Sequence, residues 1–173
     1  MSDEKFNGDR IEGEAAEKEA QAWLFQKIVG AQFFIPVSEQ NRRHYDFTLV
    51  AQNIPILFEV KFDKENEQTG NVAVEEMCSD KPSGVTASWS DYVVYKLVKA
   101  EVPEFYLIPT GRLRMALIGL DGRRTKGGDG NRADLKLFKA DVFKAQCDCR
   151  LDEVDDGSIV LVKYDKRLVP LKP

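Results

Sequence analysis

Apolar residues recur at three- and four-residue spacing from about Asp9 to Val29. Ala16, Ala20, Trp23, Leu24 and Ile28 fall on one face of a helix drawn over this stretch, and Gly30 is a natural stop. Beyond Gly30 the period changes to two. Gln32–Pro36 is predicted as a first strand. In His44–Val50, Tyr45, Phe47 and Leu49 alternate with Asp46, Thr48 and Val50. In Pro55–Phe62, Ile56, Phe58, Val60 and Phe62 share a core face, and Leu57, Glu59 and Lys61 share the other. After a charged loop from Asp63 to Gly70, further strands are predicted at Asn71–Met77, Tyr92–Val98, Glu104–Pro109, Leu135–Phe138 and Ser158–Tyr164. Short helices are predicted at Thr110–Ile118, with Thr110 as N-cap, and at Ala140–Cys147. This order predicts an α/β or α+β fold. It disfavours a doubly wound dinucleotide fold, since no long helices alternate with the strands.

Two charges interrupt the apolar strand at 55–62. Glu59 and Lys61 point the same way, and charged residues are seldom set into such a run without a partner. Gln52-Asn53 separates this strand from the preceding one. A two-residue hairpin loop would set Ala51 opposite Ile54 and Asp46 opposite Glu59, with Cβ atoms roughly 5 Å apart. Pro55 leaves a longer loop open as an alternative. Two carboxylates that close repel, and a shared proton, a neighbouring Lys or a bound cation would offset the repulsion. Their oxygens suit a hard ion such as Mg²⁺.

Asp46 followed by Glu59-Val60-Lys61 on the next strand resembles the D…(D/E)xK signature of the PD-(D/E)XK nuclease superfamily, although Tyr45 stands where the motif expects Pro. The Lys81-Pro82-Ser83-Gly84 loop, the Ser90-Asp91-Tyr92 entry into a strand and the Gly-rich stretch at 127–131 are similar to a group of phage and bacterial endonuclease-like proteins in that superfamily. The likeness spans roughly residues 13 to 140. It implies an α/β restriction endonuclease-like core, a central mixed β-sheet flanked by helices, and a metal-dependent DNA endonuclease. Asp46, Glu59, the Val60 carbonyl and Glu17 would hold Mg²⁺, with Mn²⁺ as a substitute, and Lys61 would assist the attacking water. Glu17 matches the acidic residue often carried by the helix before the catalytic sheet. On the helical wheel it also lies at the edge of the apolar face, although a solvated flank explains it equally well.

DNA contacts are expected from Arg42 and Arg43 in the loop before Asp46, and from Lys81 and Ser83 on a turn suited to gripping a phosphate. Arg123, Arg124 and Lys126 lie in a basic, Gly-rich stretch, residues 121–132, read as a flexible arm. Arg112 and Arg114 are read as exposed and available for the DNA backbone. Glu75 is either a further site carboxylate or a strand-edge charge. His44, the sole histidine, has no flanking motif for nucleophilic catalysis.

At 173 residues, 43% apolar and 31% charged, the chain reads as one soluble domain with residues 1–8 as a mobile tail. Its net charge of −4 weighs against nonspecific nucleic-acid binding through a basic surface, but not against a nuclease with local basic patches. No apolar run is long enough for a membrane span, and Met1–Lys5 lacks the character of a signal peptide, so a cytoplasmic location is expected. The three cysteines argue against a disulfide framework, and Cys147-Asp148-Cys149 is too sparse for zinc. A homodimer is possible, since two strands must be cut. Two other readings stay open. One is an inactive nuclease-fold protein that binds DNA or mediates a phage–host interaction. The other is an α/β domain in which Glu59 and Lys61 form a structural ion-pair cluster with Arg42 or Arg43.

Overall fold

The computed structural model describes residues 3–127, 132–147, 149–150 and 172. It is a mixed α/β fold built around a six-stranded sheet. The first helix, α1 (Asp3–Lys27), leads into β1 (Ala31–Pro36), β2 (Phe47–Ala51) and β3 (Ile54–Asp63). A one-turn helix α2 (Asn66–Thr69) precedes β4 (Asn71–Cys78) and the short β5 (Lys81–Pro82). A 3-10 turn (Gly84–Thr86) leads on to β6 (Tyr92–Lys99), β7 (Val102–Pro109) and α3 (Thr110–Gly119). The described chain ends with β8 (Arg123–Gly127), β9 (Ala133–Lys139), α4 (Ala140–Ala145) and β10 (Cys149–Arg150). The main sheet has the order β1-β2-β3-β6-β7-β10. Its only parallel neighbours among the described strands are β3 and β6. A second, antiparallel sheet has the order β5-β4-β9-β8.

The main sheet is apolar on both faces. Ala20, Trp23, Leu24 and Ile28 of α1 pack on Phe47, Leu49, Ile56, Phe58, Tyr92 and Val94. The other face carries Val93, Tyr95, Tyr106 and Ile108, which pack against Val72 and Val74 of β4, Phe138 of β9, Leu113 of α3 and Phe143 of α4. The expected helical stripe is therefore the buried face of α1. The face of β3 that holds Glu59 and Lys61 is turned toward the second sheet, because even-numbered residues of β3 face α1.

Several expectations are corrected. Residues 3–8 belong to α1 and are not a tail: the helix begins six residues before Asp9. The charged loop after Phe62 contains α2, whose Asn66 is buried and exchanges hydrogen bonds with the backbone of Val98. Arg123–Gly127, read as part of a flexible arm, is a strand paired along its length with β9. Alternation is hard to see in a run of charged residues at a sheet edge, where little is buried. Arg112 is 7% exposed and donates to the Gln146 carbonyl at 3.0 Å. Arg114 donates to the carbonyls of Val85 (3.1 Å) and Ser88 (2.6 Å). Both guanidiniums tie loops together and are not the exposed phosphate ligands expected. Thr110 is the first residue of α3 rather than its N-cap, and its hydroxyl bonds to Ser90. The expected strand Ser158–Tyr164 lies outside the described residues. No described helix is long and apolar enough to cross a membrane.

Candidate metal and nucleic-acid site

The β2–β3 hairpin has the two-residue loop. Gln52 and Asn53 both adopt positive φ (51° and 64°), the geometry of a type I′ turn, whose twist suits the strands on either side. Ala51 lies opposite Ile54, and the pairing runs out to Phe47 opposite Phe58. Asp46 comes next. Its amide donates to the Phe58 carbonyl at 2.8 Å, and its Oδ2 accepts the Val60 amide at 2.6 Å. The Asp46 carboxylate thus substitutes for a backbone carbonyl at the point where β2 begins. In a strand, the N–H and C=O of one residue point to the same neighbour. The Val60 carbonyl therefore also faces the Asp46 side, away from β6.

Glu59 is 9% exposed, and its Oε1 lies 2.5 Å from Lys61 Nζ. Burial pulls the Lys61 ammonium down, but its contact with Glu59, reinforced by Asp46 and Glu75, leaves its pKa above the usual lysine value. Glu75 projects from β4 and accepts a hydrogen bond from the Ser83 hydroxyl. Here the turn after β5 runs close against β4. Gly84 has φ +50°, and a Cβ there would lie 2.6 Å from the Glu75 carbonyl oxygen. Ser83 thus uses its hydroxyl on Glu75, while Lys81 is exposed on β5.

Glu17 approaches from α1. With Gln21, Arg42, Asp46 and the end of β1 it lines a groove of about 380 Å³. Burial raises the Glu17 carboxyl above its ordinary range, the Glu14 and Glu59 charges add to this, and Arg42 and Lys61 oppose it. Glu17, Arg42, Asp46, Glu59 and Lys61 thus form one electrostatic group.

Among solved structures, a bacterial homing endonuclease, I-Ssp6803I, is similar to this chain. It aligns at TM-score 0.46 and 18% identity, over 76% of this chain and 79% of the other. No protein-family profile matches the sequence, and neither does any curated protein.

Arg124 pairs with Glu76 (3.2 Å) and Lys126 with Asp134 (2.6 Å) on the second sheet, while Arg123 is exposed at the start of β8. Arg43 donates from Nε to His44 Nε2 at 3.0 Å. Asp91 lies on the other side of β3. Its amide donates to the Leu57 carbonyl (2.8 Å) and its Oδ2 accepts the Leu57 amide (2.9 Å), so it clamps β3 from the β6 side as Asp46 does from the β2 side.

The donor set suits a small hard cation. Asp46 and Glu59 offer two carboxylates and Val60 a carbonyl. Mg²⁺ ordinarily takes one or two carboxylates and keeps several waters. No group of three or more His, Cys, Asp or Glu among the described residues forms a ready cage for a metal, so such an ion would depend on water for the rest of its shell. The electrostatics point the same way. The Asp46 carboxyl is pushed up to about 7 by burial and by the Glu59 charge, against the opposing effects of the Val60 amide and Lys61.

That shift has a testable sign. A raised value in the folded state means that Asp46 stabilises the fold while protonated and opposes it once ionised. The contribution is complete below its unfolded value, near 4, and is lost as pH rises toward 7. In EDTA, thermal stability is expected to fall across that window, and to fall less in Asp46→Asn. At pH near 8, Mg²⁺ is expected to raise the melting temperature of the wild type by mass action and to leave Asp46→Asn unmoved. Equal Mg²⁺ responses in the two proteins would separate Asp46 from any cation site.

Proposed function

We propose that this protein is a metal-dependent DNA endonuclease with its centre at Asp46, Glu59 and Lys61. The observation that carries the reading is the hairpin register. It brings Asp46, just before β2, alongside the middle of β3, anchors it on the Val60 amide and leaves Lys61 against Glu59. The likeness of these residues to the PD-(D/E)XK signature supports the same chemistry.

In this reading Asp46, Glu59 and the Val60 carbonyl hold Mg²⁺ or Mn²⁺, with Glu17 contributing directly or through water. A divalent ion so bound lowers the pKa of a water molecule and stabilises charge on the scissile phosphate. Lys61 holds the attacking water and offsets the charge that develops on the phosphate. Glu59 keeps the Lys61 ammonium charged, which suits that role. Arg42, on the groove beside Asp46, meets a backbone phosphate. Arg43, Lys81 and the β8 cations extend the electrostatic footprint. A homodimer would offer two such centres to the two strands of a duplex.

The test is nicking of a supercoiled plasmid and of branched DNA with Mg²⁺ or Mn²⁺, against EDTA. Cleavage that requires metal and is lost in Asp46→Asn is the expected result. A folded protein that cuts no DNA form even with Mn²⁺ would overturn the reading and leave a nuclease-fold binding module.

The β8 cations carry their own prediction. Each phosphate contact contributes about 0.9 to the slope of log affinity against log salt on duplex DNA. Arg124 and Lys126 are already held by Glu76 and Asp134, so Arg123 is the least encumbered of the three. Replacing all three with Ala is expected to flatten the slope by about one contact. An unchanged slope would remove β8 from the interface.

A further inference from the structure

His44 and Trp89 stack with ring centroids 3.7 Å apart and planes 4° from parallel. Trp89 is nevertheless 50% exposed. A large aromatic ring left half in water is informative when it is held in place, and here the support is extensive. The Trp89 amide donates to the His44 carbonyl at 2.8 Å, and the Ser88 hydroxyl donates to that same carbonyl at 2.9 Å. Ser88 then continues through buried Ser90 to Thr110, with both hydroxyl contacts at 2.8 Å. Arg114 holds the Ser88 carbonyl.

The histidine is held as well. An arginine Nε only donates, so His44 Nε2 accepts from Arg43, and the ring proton sits on Nδ1 facing the Ala87 carbonyl at 3.4 Å. The ring pair thus joins two loops and carries a guanidinium at its edge.

Its location gives the pair meaning. His44 is two residues from Asp46, and Trp89 is two residues from Asp91. Asp46 and Asp91 bond to the adjacent carbonyls of Phe58 and Leu57 on β3. Both loops therefore converge on the middle of β3, immediately before Glu59.

We propose that the His44–Trp89 pair is a stacking platform for an unpaired nucleobase beside the scissile phosphate, so that the preferred substrate is DNA with a single-stranded or unstacked segment at the cut. The proposal rests on the endonuclease reading for its DNA ligand. Every base has a π-face, and an indole supported from behind by a second ring presents a flat apolar surface at small entropic cost. Arg43 beside the pair supplies a cation for the adjoining phosphate. A blunt duplex keeps its bases stacked on one another and gains little from such a surface.

The test is binding in EDTA, where no cleavage intrudes, read by tryptophan fluorescence and by affinity. The probes are a short oligodeoxythymidylate, a forked duplex and a blunt duplex. Trp23→Phe isolates the Trp89 signal. Quenching is expected with the oligodeoxythymidylate and the fork, and not with the blunt duplex. Trp89→Ala is expected to weaken the single-stranded and forked probes by on the order of tenfold and to leave the blunt duplex unchanged, with Trp89→Phe recovering most of the loss. Equal loss on all three probes, or no quenching by any, would overturn the platform. The two readings fail separately. Selective quenching in a protein that never cleaves would keep the platform and remove the nuclease. Metal-dependent cleavage with substrate preference unaltered in Trp89→Ala would do the reverse.

Discussion

Lys61→Ala is expected to lower metal-dependent DNA cleavage by about 10²- to 10³-fold, the usual cost of removing one group aimed at charge that develops in the transition state. The comparison that gives this result its meaning is Lys61→Arg. An arginine keeps the positive charge and can still pair with Glu59, so a purely structural ion pair would survive the exchange. A guanidinium is wider and planar, and it does not reproduce a compact ammonium with three rotatable donors. Lys61→Arg is therefore expected to keep the melting temperature and lose most of the cleavage rate. Lys61→Ala is expected to lose rate and also some stability, because Glu59 would stay nearly buried beside Asp46 without its cation. Wild-type cleavage in both variants would remove Lys61 from the chemistry and leave it as a support for Glu59.

The second large effect concerns the strand that carries the site. Phe58 has no exposed surface and stacks between Phe47 (5.5 Å) and Tyr92 (5.9 Å), joining three neighbouring strands under α1. Phe58→Ala is expected to cost about 3–5 kcal/mol. That is a large part of the roughly 5–15 kcal/mol that holds a domain together. Urea denaturation should show it as a lower midpoint with an unchanged slope. Its neighbours on the opposite face of the strand make a control. Leu57→Ala, at a half-buried position, should cost much less. A similar cost at both positions would mean that the α1 core does not dominate the stability of β3.

The two results would divide the strand between stability and chemistry. Even-numbered residues hold β3 against α1, and odd-numbered residues carry charge toward the second sheet. That division is local, which explains why it was readable. Period-two alternation fixes which side chains share a face, and a two-residue loop fixes the register across a hairpin. Asp46, Glu59 and Lys61 could therefore be brought together on paper. The helix was readable for the same reason, since Ala16, Ala20, Trp23, Leu24 and Ile28 announce a buried stripe without reference to the rest of the chain. Its true start at Asp3 was not, because the residues before Asp9 carry no apolar pattern to extend the stripe.

Charge without context does not fix where a side chain lies. The sequence suggests a surface position for Arg112 and Arg114 because arginine is ordinarily found there. Only the packing of α3 against the 3-10 turn and the chain after α4 shows that their guanidiniums satisfy buried carbonyls. The glycines around Arg123, Arg124 and Lys126 suggest a flexible arm. The strand appears only when β9 is available to pair with it. The contact of the Ser83 hydroxyl with Glu75 on the neighbouring strand is equally beyond any local pattern.

The sequence by itself determined the α/β class, the amphipathic first helix, the β2–β3 hairpin and the meeting of Asp46 with the Glu59–Lys61 strand. Each follows from spacing within a few residues or across one turn. Tertiary structure alone decided the parallel pairing of β3 with β6, the second sheet that buries Glu59, the Asp91 clamp on Leu57 and the stack of His44 on Trp89. Those features join segments that lie far apart along the chain. Their partners are selected by the burial of a shared core, and no local pattern records that choice.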